Sequence, residues 1–267
     1  MKRVCVFGIG EAGNLFAQDL VAAGLSVAVY DPAPVKTPEG VERCDEPESA
    51  VVGADTVIAL TASADAEEAL KQAFAQIAPE ALYADFCSGS AGLKRRLAAR
   101  AAERKIAFAD IALLAIVPGN GIRTRSMVSG TGADRFVAQF SPLGTPVESL
   151  GGEAGDAATL KLLRSVFMKG LAAVTIEAMS AADKAGLSNW LWENISKEIA
   201  QADETLLHRL VTGTGLHARR RLSEMEASAE LLAELNVEPL MTRSTVENLK
   251  NVLATGLPYI PDPAVTG

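Results

Sequence analysis

A glycine-rich turn between two apolar strands, all within the first 31 residues, constrains the fold of this chain more than any other feature. The segment begins with the apolar run Val4–Phe7, passes through three glycines, continues as a helical stretch to Gly24 and ends with a second apolar run before Asp31. The first glycine allows a tight turn, the second lets the backbone approach a pyrophosphate, and the third lets helix and strand pack closely. These glycines are Gly8, Gly10 and Gly13. The segment therefore predicts a dinucleotide site.

Asp31 indicates which dinucleotide this site prefers. It follows the second apolar run, where a carboxylate can accept hydrogen bonds from both hydroxyls of a ribose. A negative charge there repels a 2′-phosphate, so Asp31 favours NAD over NADP as the cofactor. The alternative is a glycine turn in another type of α/β protein that binds no nucleotide.

The first half of the chain alternates short apolar runs with helical stretches. This alternation predicts a Rossmann-type, doubly wound parallel sheet with right-handed crossovers, in which ligands bind beyond the carboxyl ends of the strands. The expected strands are 3–7, 26–30, 56–60, 81–85, 106–109, 126–129 and 146–150, and the expected helices are 11–23, 65–77 and 91–103.

The strand patterns end near Gly152. We therefore predict an α/β dinucleotide-binding domain over 1–152 and an all-α domain over 153–267. The stretch 156–184 is predicted to form one long helix that is buried on several sides, because it is rich in Ala and Leu. Further helices are expected at 188–208, 216–235 and 241–254.

Two shorter segments of the second half also carry expectations. The three residues Gly213–Gly215 are expected to separate two helices, and Asn189–Trp192 is expected in a helix core or an interface. Apolar helices of this kind often complete their burial against a second subunit. A homodimer formed through the helical domain is therefore the expected assembly.

The composition excludes several classes of partner. A net charge of −8 argues against nucleic acid and anionic membrane surfaces, and no apolar run is long enough to span a bilayer. The first three residues lead directly into a strand, so we expect no signal peptide. Three unpatterned cysteines suit a reducing cytosol, and two isolated histidines predict no histidine-based metal site. The composition leaves a carboxylate site for a divalent cation open.

Lys161 is the candidate for acid–base chemistry. It lies about two turns into the long helix, just after the domain junction. A lysine desolvated beside a nicotinamide would have its pKa lowered toward neutrality. Such an amine can take the proton of a substrate hydroxyl as hydride leaves the carbon. Ser165, one turn further on, shares its face. The alternative is an exposed lysine near a helix start.

Three segments of the first half match a family pattern. Residues 8–20 follow the motif GxGxMGxxxAxxL, with Ala12 where methionine is usual, residues 55–61 form an apolar strand ending in Thr61, and Ser88 follows a later strand. These segments resemble the β-hydroxyacid dehydrogenase family, which includes 3-hydroxyisobutyrate and 6-phosphogluconate dehydrogenases. The resemblance implies cofactor contacts for the turn residues, for Thr61 and for Ser88, and a substrate contact for Ser88. The turn residues that it adds to the glycines are Glu11 and Ala12.

The start of the long helix matches the same family more specifically. Gly152, Gly155 and Lys161 fit the motif G-x-x-G-x-G-x-x-x-K, except that Ala157 replaces the third glycine. In that family the lysine is the acid/base, which implies this role for Lys161. The family pairs the lysine with an asparagine four residues later. Here that position is Ser165, for which we expect a substrate contact.

The substrate loop departs from the family pattern D-x-P-V-S-G-G. The segment that follows Asp110 lacks the serine and the paired glycines that usually hold the substrate carboxylate. We expect Asn120, within Gly119–Gly121, to offer an amide donor in their place. The alternative is an ordinary turn. These departures favour a divergent subgroup with a distinct, short helical C-terminal domain.

Together these observations predict an NAD-dependent dehydrogenase with its active site between the two domains. The expected reaction transfers a hydride between a small hydroxyacid, or a related alcohol or sugar acid, and the nicotinamide, with Lys161 as general acid/base and without a metal. Two alternatives stay open. One is an enzyme resembling imine reductases, in which the helix lysine is usually not the proton donor. The other is a non-catalytic NAD-binding sensor.

Overall fold

The first strand lies near the middle of an eight-stranded sheet in the computed structural model, which describes residues 1–262. The sheet order is β3-β2-β1-β4-β5-β6-β7-β8. Every neighbouring pair is parallel except β6 and β7, which are antiparallel. The strands are β1 (Arg3–Phe7), β2 (Ser26–Tyr30), β3 (Glu42–Arg43), β4 (Thr56–Ala59), β5 (Leu82–Asp85), β6 (Ala107–Leu113), β7 (Ser126–Ser129) and β8 (Val147–Ser149).

Helices cover both faces of this sheet. The central strands β4 and β5 are buried along their whole length, as parallel strands between two helical layers must be. One core cluster contains Tyr83 and Phe108, and another contains Phe16, Phe136 and Phe140. The five helices are α1 (Glu11–Ala22), α2 (Pro47–Val51), α3 (Ala66–Ala73), α4 (Ala91–Ala102) and α5 (Ala133–Phe140). The predicted Rossmann-type, doubly wound fold is confirmed.

Three short elements were not predicted from the sequence. Strand β3 has two residues, which is too few for any alternation to show. Helix α2 has five residues and α5 has eight, so each presents little more than one or two turns of periodic pattern. The sheet is mostly parallel, as predicted, and contains one antiparallel pair, where β7 reverses direction beside β6.

The remaining described chain is helical, with helices α6 (Asp156–Ala185), α7 (Ser188–Ala200), α8 (Glu204–Glu234) and α9 (Leu240–Thr255). Two compact units are present, Met1–Arg164 and a second that begins at Ser165. That division falls inside α6, twelve residues after the domain boundary predicted at 152, because the start of α6 packs with the sheet. Within residues 1–262, no helix combines the length and the hydropathy that crossing a membrane requires.

The predicted helix break at Gly213–Gly215 was wrong. Helix α8 runs through these residues and bends at His217, where φ is −121° and ψ is 21°. Arg221, one turn after the bend, donates to the carbonyl oxygen of Leu210 at 3.0 Å and to the hydroxyl of Thr214. These contacts reach across the bend, so glycines that favour a break in isolation are kept helical by their neighbours.

The predicted burial of the long helix on several sides was also wrong. The side chains of Leu163, Val166 and Phe167 on α6 are 61%, 74% and 54% exposed. On α7, Trp190 and Trp192 are 65% and 59% exposed, so they belong to no core of the described chain. These apolar side chains therefore form surface that residues 1–262 leave exposed.

A buried carboxylate joins the long helix to the last helix of the second unit. Glu177 on α6 accepts hydrogen bonds from the backbone N–H groups of Met241 and Thr242, at 2.7 and 2.9 Å, and from the Thr242 hydroxyl at 2.7 Å. Burial raises the pKa of Glu177, but these hydrogen bonds outweigh it and leave the pKa below its ordinary value. Glu177 thus caps α9, whose N-cap residue Pro239 provides no side-chain acceptor.

Candidate functional site

The three glycines of the N-terminal turn are required, or suited, to their positions for different physical reasons. Gly8 has φ +82°, and a Cβ there would lie 2.7 Å from the Leu60 carbonyl oxygen. A Cβ on Gly13 would lie 1.8 Å from the carbonyl oxygen of Gly8. A Cβ on Gly10 would meet no protein atom within 4 Å. The fold itself therefore requires Gly8 and Gly13, whereas at Gly10 the open space suits a ligand that approaches the backbone.

Helix α1 presents its N-terminus to that space. Gly10 is its N-cap residue and provides no side chain to satisfy the first N–H groups. Such a terminus carries partial positive charge and N–H donors that bind phosphate oxygens. The geometry at Gly10 therefore fits the pyrophosphate of a dinucleotide.

A cavity of about 400 Å³ opens beside the turn, at the carboxyl ends of β1, β2 and β4. The predicted cofactor residues in its lining are Gly8, Gly10, Asp31 and Thr61. The buried hydroxyl oxygen of Thr61 has no hydrogen-bond partner among residues 1–262. Because buried hydroxyls in folded proteins are nearly always paired, this oxygen is a further feature that fits a bound polar ligand.

Asp31 has a structural role besides its position in the cavity wall. Its carboxylate accepts hydrogen bonds from the backbone N–H groups of Ile9 and Ala33, both at 2.8 Å. Arg43 donates to the carbonyl oxygens of Asp31 and Ala33, each at 2.8 Å. The Asp31 side chain thus ties the glycine turn to the loop after β2, and Arg43, which sequence reasoning missed, shapes that loop.

The two other turn residues lie at different depths. Glu11 is exposed and lines a neighbouring hollow with Gly10 and Gly119. Ala12 is half-buried and packs against the core cluster that contains Phe16. Their contacts with a cofactor stay predictions.

The structure brings Lys161 and Ser88 together. Ser88 is exposed three residues after the end of β5, and Lys161 is half-buried near the start of α6. The Lys161 ammonium nitrogen donates to the Ser88 hydroxyl oxygen at 2.9 Å. Ser165 is half-buried one turn further along α6. The predicted acid/base and the predicted substrate and cofactor serine therefore share one location, reached from elements 73 residues apart in the chain.

Asn120 lies in an exposed loop and holds that loop together. Its side-chain amide donates to the carbonyl oxygen of Ile116 at 2.9 Å. Asp19 on α1 anchors the same loop by accepting from the backbone N–H of Ile122 at 2.9 Å. A substrate contact by Asn120 stays a prediction, since one of its two amide hydrogens is used within the loop.

Sequence reasoning missed a buried ion network beneath the Lys161 region. Lys94 on α4 pairs with Asp85 and Asp110, which end or lie within the neighbouring strands β5 and β6. The signal was present, because two acids interrupt otherwise apolar strands and Lys94 shares the buried face of α4 with Leu97 and Ala101. Among residues 1–262, no group of three or more histidine, cysteine, aspartate or glutamate side chains is placed to hold a metal ion.

Two family models match this chain. Residues 3–134 match the NAD binding domain of 6-phosphogluconate dehydrogenase, and residues 182–252 match a domain of unknown function, DUF1932. The predicted resemblance, with a distinct C-terminal domain, is confirmed by these two matches.

Individual proteins are similar to this chain over different lengths. An uncharacterised 28.5 kDa protein from Methanothermus fervidus is 29% identical over 171 residues, which are 64% of this chain and 66% of that protein, just under two thirds of its length.

Two solved structures share the fold over nearly the whole length. A reductive aminase from Aspergillus terreus in complex with NADPH and ethyl levulinate has a TM-score of 0.80 at 18% identity, covering 96% of this chain and 95% of its own. A variant imine reductase from Myxococcus stipitatus in complex with NAD⁺ has a TM-score of 0.79 at 18% identity, with the same coverage. At this level of identity the likeness shows the fold alone.

Proposed function

We propose that this chain, a member of an NAD(P)-binding oxidoreductase family with the NAD binding domain of 6-phosphogluconate dehydrogenase, acts on a small hydroxyacid or a related alcohol or sugar acid. Lys161 serves as its general acid/base. The observation that carries the proposal is the hydrogen bond of 2.9 Å between the Lys161 amine and the Ser88 hydroxyl. This hydrogen bond orients the Lys161 side chain toward the segment just after β5, at the edge of the sheet where ligands of this fold bind.

The chain's own residues divide the work of the reaction. A bound nicotinamide supplies the acceptor, or in reverse the donor, of the hydride. Lys161, as a neutral amine, takes the proton of the substrate hydroxyl while the carbon loses its hydride, so the alcohol becomes a carbonyl and the amine becomes an ammonium. Ser88 holds the amine in one orientation through its hydroxyl oxygen. The turn at Gly10 and the cavity beside Asp31 bind the cofactor.

Reduction of a carbon–nitrogen double bond is the second candidate reaction. It is favoured by the reductive aminase and the imine reductase that share the fold of this chain over 96% of its length. In an enzyme of that kind the chain would transfer hydride to an imine carbon, and Lys161 would not be the necessary proton donor. A protein that binds NAD without turnover is the third candidate.

A substrate screen distinguishes the three candidates. NAD reduction is measured with a panel of small hydroxyacids and sugar acids, and NADH and NADPH oxidation with a panel of cyclic imines. We expect turnover in the first panel. Turnover only with imines would replace the proposed reaction by the second candidate, and NAD binding with no turnover in either panel would favour the sensor.

Replacing Asp31 tests the preference for NAD. Besides Asp31, the cavity lining contains the carboxylates of Asp65 and Glu68, of which Glu68 forms an exposed ion pair with Lys71 at 3.1 Å. A 2′-phosphate in this cavity is therefore repelled chiefly by the unpaired carboxylates. We expect the NADP dissociation constant, divided by the NAD dissociation constant, to fall about tenfold in Asp31→Asn. Removing one charge repulsion of about 1.4 kcal/mol corresponds to that factor. Calorimetric titration of both dinucleotides measures the ratio.

Glu68→Gln is the matched control for this experiment. It removes an exposed charge from the same cavity without touching the hydrogen bonds that Asp31 makes to the turn. We expect it to change the ratio by less than Asp31→Asn does. Equal effects of both variants, or tighter binding of NADP than NAD by the unaltered protein, would contradict the role given to Asp31.

We also propose that the chain forms a homodimer through its helical part. The support is the apolar surface of α6, on which Leu163, Val166, Phe167 and Ile176 are all more than half exposed. Val166 and Phe167 lie three and four positions after Leu163, so both share its side of the helix and form an apolar stripe with it. Contiguous exposed apolar surface of this kind marks an interface, and a second copy of the same helix is an occupant of matching chemistry.

Sedimentation velocity at micromolar concentrations tests the dimer. We expect a single dimeric species for the unaltered chain and a monomer for Val166→Glu, because a carboxylate at the centre of the stripe would be buried without a partner. Val52→Glu, at a 57% exposed aliphatic position outside the helical part, is the matched control and should stay dimeric. Monomeric behaviour of the unaltered chain would refute the assembly.

A further inference from the structure

We infer that the buried triad of Lys94, Asp85 and Asp110 is a positioning device that sets the Lys161 amine against Ser88. The inference deepens the proposed function and, for its catalytic consequence, rests on it. The three residues are 1%, 0% and 0% exposed, so none can contact a substrate. They act through the two segments that carry Lys161 and Ser88.

The centre of the triad is an ammonium group between two carboxylates. Asp85 and Asp110 are directly opposite each other in the pairing of β5 and β6. The Lys94 ammonium lies 2.9 Å from one oxygen of Asp85 and 3.1 Å from one oxygen of Asp110, and it donates to the Asp85 carbonyl oxygen at 3.0 Å. Burial lowers the pKa of Lys94, but the two carboxylates outweigh it and raise the pKa above its ordinary value. The two carboxylates therefore favour the charged form of Lys94.

One arm of the triad fixes the start of α6. The second carboxylate oxygen of Asp110 accepts from the backbone N–H groups of Gly155 and Ala158, at 3.0 and 3.1 Å. Ser129 on β7 donates to the same oxygen at 3.4 Å and accepts from the N–H of Ala157 at 3.1 Å. Three N–H groups at the first turn of α6 are thus bound to the sheet, three to six residues before Lys161.

The other arm fixes the segment that leads to Ser88. Asp85 accepts from the backbone N–H of Cys87 at 3.2 Å and from its thiol at 3.1 Å. Burial, together with the charge of Asp85, raises the pKa of Cys87 to about 12, so the thiol keeps the hydrogen that it donates. The residue before Ser88 is therefore held by the same carboxylate that pairs with Lys94.

The net charge of the triad explains why the N-terminus of α6 packs against it. Two carboxylates and one ammonium leave one negative charge in excess, in a place that water does not reach. The N-terminus of a helix carries partial positive charge, and the α6 terminus supplies it directly to Asp110. The α6 terminus thus compensates excess charge of the triad at Asp110, while Asp85 holds the residue before Ser88. Both partners of the Lys161–Ser88 hydrogen bond are therefore fixed from one buried centre.

The experiment loosens each arm and follows Lys161 directly. Lysines are reductively methylated with ¹³C-formaldehyde, and the dimethylamine resonance of Lys161 is assigned by its loss in Lys161→Arg. Asp110→Asn keeps the shape of the side chain but removes the charge that binds α6. We expect a shifted and broadened Lys161 resonance, a fall in kcat of roughly 10- to 100-fold, as small misplacements of catalytic groups produce, and an unchanged NAD dissociation constant.

A second pair of variants keeps the test decisive if Asp110→Asn does not fold. Ser129→Ala removes one acceptor of the α6 terminus and should shift the Lys161 resonance in the same direction. Ser126→Ala is its matched control, because Ser126 is on the same strand, is 1% exposed and has a hydroxyl with no hydrogen-bond partner among the described residues. It should leave the resonance and kcat unchanged.

The outcomes separate this inference from the proposed function. If folded Asp110→Asn or Ser129→Ala leaves both the Lys161 resonance and kcat unchanged, or if Ser126→Ala has the same effect as Ser129→Ala, the positioning role is refuted. If Lys161→Met retains full turnover while the resonance still shifts in Asp110→Asn, the acid/base role fails and the positioning of Lys161 stands.

Discussion

Lys161→Met should lower turnover by a factor of about 10² to 10⁴, the range over which a positioned acid/base contributes, and should leave the NAD dissociation constant unchanged. Methionine has nearly the length of lysine and keeps the contacts of the aliphatic chain, but it has no amine to hold a proton. The glycine turn and the Asp31 cavity that bind the cofactor are built from other elements. Steady-state kinetics and calorimetric titration of NAD measure the two quantities.

Lys169→Met is the matched control for this variant. Lys169 lies on the same helix and is exposed, and we expect its replacement to change turnover by less than about twofold, as surface substitutions usually have small effects. Ser88→Ala should fall between the two variants, because it keeps the amine but removes the oxygen that orients it. Full turnover by Lys161→Met would show that the acid/base assignment is wrong.

Gly13→Ala should destabilise the N-terminal unit by on the order of 3 kcal/mol, the upper range for forcing an extra methyl into a packed site. The new Cβ would lie 1.8 Å from the carbonyl oxygen of Gly8. Gly8 has little room to move, since even a Cβ built on it would lie 2.7 Å from the Leu60 carbonyl oxygen. The change is measured as the shift of the urea midpoint, with the slope of the transition as a check that the unfolding process is the same.

Gly10→Ala is the counterpart on the same turn, with the opposite expectation. Its Cβ meets no protein atom within 4 Å, and φ at this residue is −61°, which alanine adopts freely. Stability should fall by less than about 1 kcal/mol, the usual difference at an N-cap position. NAD affinity should fall at least about tenfold, a loss of about 1.4 kcal/mol, because the methyl group occupies the space of the pyrophosphate. Unchanged NAD binding by Gly10→Ala would contradict the cofactor site.

The features that the sequence predicted well are those that short-range physics determines. Strands β1 and β2 and the glycine turn between them follow from unbroken apolar runs and from backbone conformations that only glycine permits. The start of α6 follows from the end of the strand patterns near Gly152. The position of Ser88 just after β5 follows from the doubly wound sheet, whose strands have their carboxyl ends at one edge.

The features that the sequence did not predict depend on long-range contacts. The two acids that interrupt strands β5 and β6 are visible in the sequence, but only the pairing of these strands shows that the acids lie opposite each other and surround Lys94. The helix through Gly213–Gly215 is maintained by Arg221 from beyond the bend. The exposure of Val166 has a similar origin, since apolar periodicity indicates an apolar face but not whether the rest of the chain packs against it.

The cap that Glu177 provides for α9 has a consequence for the time course of biosynthesis. Thr242 follows Glu177 by 65 residues, so at about 5–20 residues per second a ribosome needs roughly 3–13 seconds to add it. Through that interval the Glu177 carboxylate lacks these three donors and has to stay hydrated. This part of α6 therefore stays open to water until Met241 and Thr242 are made. Helix α9, the last of the described helices, therefore completes this contact, and a nascent chain paused before Met241 leaves the Glu177 carboxylate without these donors.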